Sequence, residues 1–231
     1  MSAPPQYLDT ITWARRDAFE FFRGFDKPYF NVCVRLDVAP LKVLVDAHGP
    51  GLLWRAYHYL ALRLANQFEP FRLRIEGGRV RIHERVGGSS TVLRNDGSFT
   101  FADLDMHAKD DAAVLDFESF AAQASASVAA SRSRLLPFEP RLDDPQRIHF
   151  TTLPWLHFTS FSHARNWGRE DSIPKLAFGR IETDGARAWL PLSVEVHHAL
   201  MDGLHVGQFV QGFEAALRDP AAWLAQGQPA P

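Results

Sequence analysis

Apolar and polar side chains alternate most cleanly along residues 30–38. Phe30, Val32, Val34, Leu36 and Val38 share one parity, while Asn31, Cys33, Arg35 and Asp37 share the other. A period of two predicts a strand with two unlike faces. Further strands are expected over residues 147–153, 157–162, 176–182 and 187–196, with a turn at Thr183-Asp184-Gly185. Residues 71–75 and 79–82, joined by Gly77-Gly78, form an expected hairpin, and residues 87–101 read as strand and loop. Helical spacing takes over elsewhere. Thr12 is placed to cap a helix over residues 13–23 that Gly24 closes. A short helix over 41–47 breaks at Gly49-Pro50-Gly51, and a longer one presents Leu53, Ala56, Tyr57, Leu60, Leu64 and Phe68. Residues 116–134, rich in alanine and serine, predict another helix. A last one begins near Asp202 and presents Val206, Phe209, Val210, Phe213 and Leu217.

Helices and strands interleave without a repeat or a break in composition. The expected fold is therefore α/β: a two-layer sandwich in which helices cover a mixed β-sheet. Residues 1–220 form one expected domain and residues 221–231 a loosely held C-terminal tail.

Composition narrows the function classes. The net charge of −2 provides no overall field for nucleic acid or an anionic membrane. No apolar run approaches the roughly 20 residues that span a bilayer, and the N-terminus lacks the regions of a signal peptide. With one cysteine, Cys33, neither an internal disulfide nor a cysteine-rich zinc site is possible. The expected setting is the cytoplasm.

The stretch His197-His198-Ala199-Leu200-Met201-Asp202-Gly203 carries the chemistry. A strand runs into two adjacent histidines, a tight corner, and an aspartate able to cap a helix. A neutral imidazole, with an ordinary pKa near ~6.5, can take a proton from a hydroxyl if its ring and tautomer are held. Two other readings stay open at this point. His-His followed by Asp could ligate a metal, although neighbouring strand histidines point to opposite faces. The pair could also be purely structural.

The pattern His-His-x-x-x-Asp-Gly at a strand end resembles the CoA-dependent acyltransferases, and the likeness to the chloramphenicol acetyltransferases extends over nearly the whole chain. Trp13-Ala14-Arg15-Arg16 with Phe19-Glu20 resembles that family's first helix, and Asn66 with Phe71-Arg72 its long helix and hairpin. Pro154-Trp155-Leu156-His157-Phe158-Thr159-Ser160-Phe161 resembles its Pro-Trp-x-x-Phe-x-Ser-Phe. Leu190-Pro191-Leu192 and Asp202-Gly203-Leu204-His205-Val206-Gly207 extend the match.

This resemblance implies an O-acetyltransferase acting on a hydroxyl of chloramphenicol, hence antibiotic resistance. The co-substrate is acetyl-CoA, with no permanently bound cofactor and no metal. It makes His198 the general base of a direct transfer, Asp202 the partner of Arg15, and Ser160 the donor to the oxyanion. Arg180 could serve CoA, and Phe22, Phe30 and Phe158 are implied in the acceptor pocket. Trp155 and Phe161 are expected in the core. A homotrimer with active sites between subunits is implied as well.

Several positions depart from the family. Ala177 stands in place of a threonine that helps hold a water, Leu52 in place of a lysine, and Asp26 and Pro28 where the pocket is usually apolar. They leave open another hydroxylated acceptor, or a catalytically silent trimer that binds an apolar ligand.

Overall fold

The computed structural model describes residues 4–49, 51–107, 114–135, 144–165 and 170–225. In chain order the first half contains β1 (Gln6–Tyr7), α1 (Arg16–Phe22), β2 (Tyr29–Asp37), α2 (Ala39–Asp46) and α3 (Leu52–Gln67). There follow β3 (Leu73–Glu76), β4 (Arg79–Ile82), β5 (Gly87–Leu93), β6 (Phe99–Leu104) and α4 (Phe117–Arg132). The last third holds β7 (Arg147–Thr152), β8 (Lys175–Phe178), β9 (Glu182–Asp184), β10 (Arg187–His197), α5 (Gly203–Arg218) and α6 (Pro220–Leu224).

The main sheet has the order β2-β10-β8-β7-β5-β6, with β9 also paired to β10. It is mixed: β5–β7 and β7–β8 run parallel, and β10 is antiparallel to both β2 and β8. This is the expected two-layer α/β fold. A small second sheet, β1-β4-β3, holds the hairpin, whose Gly77 and Gly78 both take positive φ (58° and 74°). Positive φ at both central residues is the type I′ turn, whose twist matches that of the flanking strands.

Alternation along β2 and β10 separates two faces. Leu190, Leu192, Val194 and Val196 are fully buried with Leu36, Leu176, Phe178, Ile148 and Phe150. They pack on α3 through Leu60 and Leu64 and on α5 through Phe209 and Phe213, in one apolar core. The opposite parity of β10 (Ser193, Glu195, His197) is polar and yet also buried. Residues 153–165 cross this second face.

Some elements differ from the sequence reading. Thr12 does not cap α1, because its hydroxyl is engaged by the Asp9 carboxylate (3.0 Å); the helix starts at Arg16. Residues 157–162 are not a strand. A strand needs a ladder, and both edges of β7 are already taken, by β5 and β8. The expected strand over 176–182 is interrupted at Gly179, where a Cβ would come within 2.8 Å of the Leu156 carbonyl and 2.9 Å of Pro191. Arg180 N–H donates to Leu156 O (2.7 Å), so the turn at 153–156 occupies the gap. That turn carries Trp155 outward, 57% exposed, which corrects its expected place in the core. At the C-terminus, α6 docks: Trp223 and Leu224 pack on the core, and Trp223 O accepts from Arg63. These residues lie in the stretch expected as a tail, the rest of which, from 226, is outside the described residues.

Candidate active site

β10 ends at His197, and the next residue is His198. The two rings part company as strand geometry requires. His197 is 6% exposed, meets Tyr29 edge-on (5.2 Å, 86°), and accepts at Nδ1 from Ala199 N–H (3.2 Å). Burial, and then the charge of Arg165, push its pKa down to about 4. It is a neutral structural ring.

His198 is half-buried and pinned through its backbone. Its N–H donates to Pro28 O (2.6 Å), and its carbonyl accepts from Arg15 Nη2 (3.2 Å). The imidazole stacks on Phe22 (3.8 Å, 6°) and meets Phe30 at 4.7 Å. Among the described residues nothing hydrogen-bonds to its buried Nδ1.

Asp202 supports the corner. Its Oδ1 accepts from the N–H groups of Leu204 (3.0 Å) and His205 (3.4 Å), which caps α5, and its Oδ2 pairs with Arg15. His205 Nδ1 lies 2.8 Å from Asp202 Oδ1 and 3.3 Å from Asp202 N. One nitrogen cannot both donate and accept, and the shorter contact to a carboxylate assigns the proton to Nδ1. Burial raises the Asp202 carboxyl, but the His205 hydrogen bond and the Arg15 charge outweigh it and hold the pKa down to about 2. Arg15 thus touches both the cap of α5 and the main chain of His198.

The remaining expected residues lie elsewhere. An open cleft of 1970 Å³ runs over the polar face of the sheet, and Arg180, Phe161, Ser162 and Trp54 line it. Ser160 is exposed in the segment beside Phe161, and the Phe158 ring is 5.5 Å from that of Phe161. Arg180 pairs with Glu182 (2.7 Å) and donates to Trp155 O (3.3 Å). None of Arg15, Phe22, Phe30, His198 and Asp202 lines this cleft. Within one chain the expected site therefore falls into two groups. Arg180 lines the cleft, and Phe158 and Ser160 sit on the segment next to its lining residue Phe161; the other five surround the end of β10.

Two features escaped the sequence reading. Trp54 Nε1 donates to Thr152 Oγ1 (3.2 Å) at the cleft. More consequential is a charged cluster at the cleft wall, formed by Arg165, Asp171 and Lys175, which line it, and by the buried Glu195. Glu195 was visible as a charge within an apolar strand, a position that demands a buried cation. Its partner, 30 residues earlier on an irregular segment, gives no periodic signal. Among the described residues, no group of three or more His, Cys, Asp or Glu side chains could hold a metal.

Comparison with known proteins agrees with the fold and the motif order. Residues 6–214 match the family model for chloramphenicol acetyltransferase. The chain is 31% identical to the chloramphenicol acetyltransferase of Streptomyces acrimycini over 97% of its own length and 100% of the relative's. It is 27% identical to chloramphenicol acetyltransferase 3 of Escherichia coli, covering 88% of this chain and 92% of that one. A solved chloramphenicol acetyltransferase superposes with a TM-score of 0.81 at 25% identity, over 93% of this chain and 100% of the other. These matches define the chain as an O-acetyltransferase. More narrowly, the chain belongs to the chloramphenicol acetyltransferase family. Among the described residues, no helix is long and apolar enough to cross a membrane.

Proposed function

We propose that this chain transfers acetyl from acetyl-CoA to a hydroxyl of chloramphenicol, with His198 as general base. The observation that carries the reading is the pinned imidazole: His198 is held by its own N–H and C=O, and its ring rests on Phe22. An imidazole fixed in this way is oriented before substrate arrives. The relatives' names supply the acceptor.

In this mechanism the acceptor hydroxyl gives its proton to His198 as its oxygen attacks the thioester carbonyl. The Ser160 hydroxyl donates to the oxyanion of the tetrahedral intermediate, a contact worth about 2.7–4 kcal/mol of barrier. Collapse expels the CoA thiolate, which takes the proton back from the imidazolium. Acetyl-CoA is a co-substrate, with Arg180 beside its path, and no cofactor stays bound. Phe22, Phe30 and Phe158 present flat apolar surfaces to an aromatic acceptor.

The division of these residues into two groups supports a shared site: His198 of one chain facing the Ser160 side of a neighbour, in a homotrimer. The test mixes purified protein with acetyl-CoA, chloramphenicol and a thiol reagent. Release of CoA that requires chloramphenicol is the expected result. Release that requires a different alcohol instead keeps the chemistry and removes the acceptor.

A further inference from the structure

The polar face of the sheet carries a row of residues in register: His149 opposite Lys175, both lining the cleft, Lys175 opposite Glu195, and Glu195 opposite Asn31. Residues 161–165 pass over this row. Arg165 donates to Glu195 Oε1 (2.7 Å), Asp171 Oδ1 (3.1 Å) and Ile173 O (2.9 Å), and its guanidinium lies 4.3 Å above the Tyr29 ring. Lys175 Nζ donates to Asp171 Oδ2 (2.9 Å) and to Ala164 O (2.9 Å). The Arg165 and Glu195 side chains are only 2% and 5% exposed. Two cations face two carboxylates, so the cluster is neutral overall and internally matched. Charges buried this deeply persist only with well-fixed partners.

His163 is the exception in it. Its side chain is 10% exposed, and its ring stands edge-on to Phe161 (4.8 Å, 82°). Glu195 Oε2 accepts from the backbone N–H of His163 (3.0 Å) but lies 3.8 Å from Nδ1, beyond hydrogen-bond reach. Among the described residues neither ring nitrogen has a hydrogen-bond partner. Burial, opposed by Glu195, holds its pKa below the ordinary imidazole value. The neutral ring therefore offers one N–H and one lone pair, and of its two nitrogens Nδ1 has a polar neighbour, the Glu195 carboxylate at 3.8 Å. Enclosed polar atoms without partners are rare and costly, which points to a partner arriving from outside. His163, Arg165, Asp171 and Lys175 all line the cleft. Ala177 shares the face of β8 with Lys175, two residues along, a separation of about 7 Å. By the family resemblance, the Ala177 position borders the reaction centre, so the cluster lies within one small molecule's length of it.

We propose that His163 is a specificity-determining residue of the acceptor pocket, recognising a neutral group that both donates and accepts hydrogen bonds, an amide or a second hydroxyl, away from the hydroxyl acetylated. The matched charges around it favour neither an anion nor a cation there. This assignment rests on the acetyl-transfer reading above.

The test compares two acceptors with acetyl-CoA: chloramphenicol, which carries an amide and a further hydroxyl, and 3-phenyl-1-propanol, which has only the reacting group. His163→Phe is expected to raise KM for chloramphenicol about tenfold, the worth of one buried hydrogen bond. KM for acetyl-CoA, kcat, and KM for phenylpropanol should stay within about twofold, and His163→Gln should recover most of the loss. Equal shifts for both acceptors, or none for chloramphenicol, overturn the proposal. Loss of kcat and thermal stability in both variants also overturns it, because that marks a packing role. Calorimetric titration of chloramphenicol separates the two levels. Binding without acetylation sinks the transfer reading, and the ratio of Kd between wild type and His163→Phe then decides the subsite alone. Neither binding nor turnover removes both.

Discussion

Arg15, just ahead of α1, reaches Asp202 at the head of α5, although 187 residues separate them in sequence. The same guanidinium donates to the carbonyl of His198. One cation therefore ties the first helix to the last third of the chain at the corner that presents the imidazole. Asp202→Asn keeps an oxygen for the cap but loses the charge that Arg15 and His205 answer. It is expected to lower both melting temperature and kcat. Arg15→Lys should do likewise, because an ammonium cannot serve two partners in the geometry of a guanidinium fork. A double-mutant cycle between the positions should give a coupling of about 0.5–3 kcal/mol in stability. Additive effects would mean that the pair is incidental.

His198→Ala removes the proposed proton acceptor while leaving both backbone anchors in place. The expected fall in kcat is about 10²–10⁴-fold, with the thermal transition close to that of wild type. Steady-state kinetics and a melting curve on the same preparation check both halves. Normal turnover would end the assignment.

Ser160→Ala should lower kcat about 10²–10³-fold by removing the proposed oxyanion donor. If the site is shared between chains, a Ser160→Ala chain still offers His198 and a His198→Ala chain still offers Ser160. Unfolding the two variants together and refolding them should restore activity that neither has when refolded alone. Mixtures that remain inactive would place the whole site within one chain, against the division described above.

Acid sensitivity follows from buried imidazoles. Burial holds His58 down to about 3 and His149 to about 4, and His197 also lies at about 4. In the unfolded chain these groups titrate near ~6.5, so below that pH the unfolded state binds protons that the fold refuses. The stability they contribute is complete above ~6.5 and declines as pH falls toward 4. Asp202 and Glu195, both near 2 in the fold, work in the same sense lower down. Their contribution is present above the unfolded carboxyl range, ~3.9–4.3, and is lost as pH falls toward 2. The urea midpoint should therefore drop between pH 7 and pH 5. His58 sits among Trp54, Tyr57, Phe150 and Phe178, so a phenyl ring fits its surroundings. His58→Phe should reduce the slope of stability against pH by up to about one proton. An unchanged slope would contradict its burial as a neutral ring.

The long alternating runs were legible because each strand writes its two faces into its own residues. β2 and β10 fell close to where parity placed them, and Gly77-Gly78 marked the hairpin. The helix-capping role of Asp202 was legible too, and its pairing with Arg15 came from the family resemblance. Residues 157–162 misled because alternation reports two unlike faces and says nothing of a neighbouring strand. The charged wall was hidden for another reason. Charged residues ordinarily read as solvated, and only the meeting of Arg165 with Glu195 in space shows that both are enclosed.

Glu195 lies on β10 and His198 directly follows the last residue of that strand, three positions on; in the proposed mechanism they are a carboxylate of the acceptor side and the base. On that reading, acceptor range and catalytic rate should not be separable traits in this chain. Refitting the wall to a new alcohol by changing Glu195 would release Arg165 from the strand that delivers the base. Substrate drift should therefore proceed through Phe161, His163 and Trp155, side chains that hang from the overlying segment and leave the strand alone.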